Sequence, residues 1–158
     1  SLTLAVFVTL ALFWLGYHLV LPWVITLAYR FIIPSREFSR ADGSEGAGSV
    51  DIHYFTLYFD VRRQNLLING LPPLARHWQF GAFDGVLRLV DGAYLNQKTV
   101  QLDETGRFNI TVTAHPDRVQ SICPNVLDCS STPVGLIIFR AVLPDDKIEK
   151  PSVSKMPI

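Results

Sequence analysis

No Asp, Glu, Lys or Arg occurs between Leu2 and Tyr29, and all 14 basic and all 14 acidic residues lie from Arg30 onward. As a helix that 28-residue run would be about 42 Å long, against a hydrocarbon core of about 30 Å. A cleaved signal peptide would have an apolar region of only about 7–15 residues followed by small residues. Here Trp23-Val24-Ile25-Thr26-Leu27 stands where small residues belong. The expectation is a retained transmembrane helix over residues 1–33, stopped by Pro34 and Ser35, with Pro22 as an internal kink. Trp23 and Tyr29 suit a membrane interface.

A surplus of either charge is also missing. The formal net charge is zero, so neither a basic stripe for nucleic acid nor an acidic tail for a basic partner is expected. After the helix comes a Gly/Ser-rich stretch, Gly43-Ser44-Glu45-Gly46-Ala47-Gly48-Ser49, within an expected flexible linker over 34–49. Residues 50–158 read as short strands. Asp51–Phe59, Leu66–Gly70, His77–Phe83, Val86–Val90 and the near-continuous apolar run Val134–Val142 are rich in β-branched and aromatic residues. The last of these suits a sheet centre. Gln97–Leu102 and Arg107–Thr113, joined by Asp103-Glu104-Thr105-Gly106, give the strongest hairpin signal. The expected fold class is mostly β: one N-terminal transmembrane helix, then a small jelly-roll-like β-sandwich.

Chemical signatures are few. There is no Gly-Lys-Ser/Thr phosphate loop, no Gly-x-Ser-x-Gly elbow and no Cys-x-x-Cys-His haem site. Two cysteines cannot complete a structural zinc site, and His53, His77 and His115 lack ligand spacing. Asp84 and Asp103 fall where turns use Asp for backbone reasons. The reading is a protein that is not an enzyme and holds no cofactor or metal. Cys123 and Cys129 form a small loop disulfide if the domain faces an oxidising space; two free thiols are the alternative.

The segment from Leu71-Pro72-Pro73 through His77-Trp78-Gln79-Phe80 to Phe83-Asp84 carries a resemblance. So do the Asp103-Glu104-Thr105-Gly106 turn, Cys123-Pro124-Asn125, Phe139-Arg140-Ala141-Val142-Leu143-Pro144 and the closing Met156-Pro157-Ile158. In that order these pieces resemble the bacterial domain-of-unknown-function family 1214 over about Asn65 to Ile158. Two departures stand out: a shortened segment before Leu71, and Asn125-Val126-Leu127-Asp128 where the family carries Asn-Trp-Leu-Pro. The resemblance implies a β-sandwich-like fold, an envelope location and no catalytic residues to transfer.

Within the apolar run, His18 is the one ionisable side chain. Such groups face protein or a cofactor rather than lipid. On a helix His18 shares a face with Ala11, Trp14 and Pro22, while Gly16 belongs to a small-residue stripe that permits close helix packing. A hydrogen bond to a partner helix is expected; axial ligation of a pigment or haem is the alternative. Arg30, Arg36 and Arg40 after the helix argue for a cytoplasmic domain by the positive-inside rule. The family resemblance and the cysteine pair argue for the periplasm, which is the expectation adopted, with the helix in the bacterial inner membrane. The functional expectation is a non-catalytic accessory subunit of a larger membrane complex, photosynthetic or respiratory. Its helix would dock to integral membrane partners in the bilayer. The alternative is a tethered periplasmic module that binds sugar or lipid.

Overall fold

The structure, a computed structural model, describes residues 2–20, 24, 37–41, 52–144 and 148–156. It divides into two units, residues 1–33 and 34–158. The first contains helix α1, Leu2–Leu15, continued by a π-helical turn over Gly16–Val20. Fourteen α-helical residues advance about 21 Å. Among the described residues no helix is long and apolar enough to cross a membrane. Most of the remaining expected span, from residue 21 to 33 and including Pro22, lies outside the described residues.

The second unit is mostly β. Its strands are β1 Ser39–Ala41, β2 Ile52–Asp60, β3 Asn65–Gly70, β4 Ala75–Phe83, β5 Leu89–Asn96, β6 Phe108–Thr113, β7 Asn125–Asp128, β8 Val134–Pro144 and β9 Ser152–Met156. A short helix, α2 (Pro116–Val119), lies between β6 and β7. One sheet has the order β1-β2-β8-β4-β5 and the other β7-β6-β3-β9. The apolar strand β8 takes the central place expected of it. Alternation directs Phe55, Leu57 and Phe59 of β2, Trp78 and Phe80 of β4, and Phe139 of β8 inward. They meet Ile68, Phe108, Ile110 and Val112 of the second sheet in one core. Aromatic rings carry the junction: Phe80 stacks on Phe139 at 4.4 Å and meets Phe108 edge-on at 5.3 Å.

The strand expected over Val86–Val90 instead begins at Leu89, after a turn over Asp84–Arg88, and three further expectations need correction. Residues 37–41 are not spacer. Phe38 is buried against Phe80, their rings 6.3 Å apart, and β1 pairs with β2 from Ser39↔Thr56 to Ala41↔Tyr54. The Gly/Ser-rich stretch itself lies outside the described residues. The Gln97–Leu102 strand is not formed, and only a single bridge, Leu102↔Phe108, remains of that hairpin. The Asn96 side chain and carbonyl turn the chain, accepting from the N–H groups of Lys98, Thr99 and Val100. Gln101 then donates to the buried Asn125 amide and accepts from it, both at 2.7 Å, so a side chain replaces the ladder.

The third correction concerns sulfur. Cys123 and Cys129 are free, the former half-buried and the latter buried. They bracket β7, whose four extended residues alone advance about 13 Å. A disulfide tolerates a Cα separation of only about 7 Å. β7 is extended because it pairs in parallel with β6, Ile110↔Asn125 through Thr113↔Asp128, by way of the α2 crossover.

Candidate functional site

Two places hold candidate functional side chains. The first is the α1 end. Trp14 and His18, one turn apart, lie with ring centroids 4.6 Å apart and planes tilted by 48°, and Tyr17 meets His18 edge-on at 5.2 Å. Trp14 and Tyr17 are more than half exposed, as are Phe7, Leu12 and Phe13. Its only polar side chains are Thr3 and Thr9, so it is apolar on every side rather than on one stripe. The π-helical turn Gly16–Val20 carries His18, and such turns concentrate at functional positions. Sequence supplies a cause: Pro22 has no N–H to offer the carbonyl of His18, four residues back. Gly16 opens the turn with nothing within 4 Å of where a Cβ would stand. Ala11 lies in α1, its side chain outside the described residues, as is Pro22.

The second place is the outer face of the five-stranded sheet, opposite the core. Register places Tyr54, Arg140 and Gln79 side by side across β2, β8 and β4, with Asn96 of β5 next to Gln79. One row on, Thr56, Ile138, Gly81 and Tyr94 align in the same way. The Arg140 guanidinium lies 5.9 Å from the centre of the Tyr54 ring. Gln79 Oε1 accepts from the Tyr94 hydroxyl at 2.9 Å and is also 2.9 Å from His77 Nε2. His77 and Phe83 are therefore on this half-buried face, while Trp78 and Phe80 are core, as alternation predicts. Arg140 Nε is buried without a hydrogen-bond partner. Sequence reading missed Arg140, although a single guanidinium inside Val134–Val142 was the available signal.

The carboxylates have structural employment. Two turns share one design. Asp84 Oδ1 accepts from the N–H groups of Val86 and Arg88, and its Oδ2 from Arg88 Nε at 2.8 Å. Asp103 Oδ1 accepts from the N–H groups of Thr105 and Arg107 and from the Thr105 hydroxyl. Partial burial pushes the Asp84 carboxyl up, but the Arg88 and Val86 N–H groups outweigh it and hold it below its usual range. The Thr105 hydroxyl, then the Arg107 N–H, lower Asp103. Asp60 is lowered chiefly by the Arg62 side chain. Burial, then the charge of Asp128, pushes the Cys129 thiol up to about 12. Among the described residues, no three His, Cys, Asp or Glu side chains are grouped to hold a metal ion.

No known protein family matches the sequence, and no curated protein does. The fold does recur. An uncharacterised protein from Burkholderia cenocepacia matches with a TM-score of 0.68 and 18% identity over 82% of this chain. A protein from Vibrio parahaemolyticus matches with a TM-score of 0.54 and 16% identity over 72%. The matched regions cover only 37% and 33% of those chains, so there the fold is part of something larger.

Proposed function

We propose that this chain is a non-catalytic accessory subunit of a larger bacterial membrane complex, photosynthetic or respiratory. In this reading, the uncharged N-terminal run anchors it in the inner membrane and docks to partner helices. A β-sandwich related to family 1214 covers the periplasmic surface of the complex. The observation that carries the reading is the all-round apolar character of α1 together with His18 at its π-helical turn. Such a helix is not stable against water, and an imidazole within it asks for a polar partner from another helix. The structural employment of Asp60, Asp84 and Asp103 supports a non-catalytic role.

The test is photo-cross-linking from p-benzoylphenylalanine at Trp14 of the full chain in native membranes. The proposal expects adducts with one integral membrane protein, lost or weakened in His18→Ala. Adducts with lipid alone would contradict it. Protease added to spheroplasts should degrade the β-domain; protection would place it in the cytoplasm instead.

A second reading, a tethered binding module, is favoured by one observation: the outer sheet face carries Tyr54, Tyr94 and Phe83 around Arg140. Direct titration with neutral and acidic oligosaccharides and with lipid vesicles checks it. Binding lost in Tyr94→Ala would support it, and no binding would remove it.

A further inference from the structure

Arg140 stands on the middle strand of the five-stranded sheet and thus at the centre of its outer face. Its neighbours do not satisfy it. Tyr54 offers a ring, and the Gln79 carbonyl is taken up by Tyr94 and His77. Nε is buried and unpartnered, and among the described residues no carboxylate pairs with this guanidinium. A half-buried cation without a counter-charge is costly by itself, and a partner carboxylate set against the guanidinium offsets that cost.

We propose that this face docks a different protein chain, one that sets an Asp or Glu carboxylate against Arg140 inside an apolar surround. The inference rests on the accessory-subunit reading and names the docking face and its chemistry. The planar guanidinium matches a carboxylate through two parallel hydrogen bonds. Arg and Tyr at the centre, with Ile138 and Val142 along the same strand, form the kind of cluster that dominates protein interfaces. Two identical faces meeting about a two-fold axis through their centres would set one Arg140 against the other. Among the described residues no carboxylate beside Arg140 separates the two charges, so a second copy of this chain is the poorer occupant. Five strands about 4.8 Å apart, over the stretch 136–142 of β8, span about 450 Å². A free-standing interface needs about 800 Å² per partner. The contact is therefore one that tethering to the same complex makes effective, through a local concentration of about millimolar.

The full chain carrying Arg140→Lys puts an amine at the centre of the face. Zero-length carbodiimide coupling in native membranes should then join position 140 to an Asp or Glu in one peptide of another protein. Unaltered chain should give no such bond. Tagged Arg140→Gln should retain that same protein at least about tenfold less well than the unaltered chain, with an unchanged melting temperature. If Arg140→Gln melts earlier, Tyr94→Ala at the exposed side of the face replaces it under the same expectation. Coupling to a second copy of this chain, to an acidic glycan or lipid, or to nothing overturns the inference. So does undiminished retention by a folded variant. Adducts from Trp14 without coupling at position 140 would overturn the inference and leave the accessory-subunit reading in place. Absence of both would remove the two together.

Discussion

Leu87 holds a backbone conformation that its counterpart position fills with glycine. In the Asp84–Arg88 turn Leu87 has φ 61°, and in the Asp103–Arg107 turn Gly106 has φ 77°. Both turns close with the first residue donating its N–H to the fifth residue's carbonyl, at 2.9 and 2.8 Å. A left-handed non-glycine residue costs about 1–2 kcal/mol, and the extra freedom of an unfolded glycine takes back about 0.5–1. Leu87 is 61% exposed, so little packing offsets the strain. Leu87→Gly should therefore raise stability by about 0.5–1 kcal/mol in urea unfolding, and a loss would show that Leu87 packs on something. The aspartates that build the turns predict the acid response. Their carboxyls, with that of Asp60, are lowered in the folded state. Between the folded values and about 3.9 the unfolded chain binds more protons. Their stabilisation is present above that window and lost as pH falls through it. The urea midpoint should drop from pH 7 to pH 3, and Asp103→Asn should flatten part of the drop. Turn aspartates are legible in sequence because their chemistry is local. Arg140 is not, because its meaning depends on which strands flank it.

At the scale of elements, β2, β3 and β4 were legible, since period-two burial leaves its mark on each, and β8 was legible as a near-continuous apolar run. β1, β7 and β9 are only 3–5 residues long and are specified by their neighbours. The expected hairpin strand failed because the Asn125 amide, 24 residues away, supplies the bonds that a strand would have made to Gln101. Gly135 shows how tightly the elements meet. A Cβ there would stand 2.2 Å from the Phe83 carbonyl oxygen, a backbone atom that cannot step aside. Gly135→Ala should cost about 3 kcal/mol, read as a lowered urea midpoint; a change under about 0.5 kcal/mol would contradict the close β4–β8 approach. The β7 geometry predicts the thiol chemistry. Without reductant, the native protein should be alkylated at half-buried Cys123 and spared at Cys129, whose buried thiol is pushed up to about 12. Both should react in denaturant. A mass deficit of two protons that survives denaturation would restore the disulfide.

For the whole molecule, the boundary near residue 33 was legible from charge alone, because the first Arg follows 29 uncharged positions. The mostly β character of the second unit followed from composition, but the strand order, with its parallel β6–β7 pair, did not. That pair depends on α2 and on long-range register. The proposed function is divided in the same way. The helix presents Trp14 and His18, the sheet presents Arg140, and both are unusual for a protein that works alone in water. The most direct measurement is the native size of the full chain after mild detergent extraction. It should elute well above the mass of a 17.7 kDa monomer in its micelle, together with integral membrane proteins in fixed ratio. Elution as a detergent-bound monomer with no co-purifying partner would contradict the account.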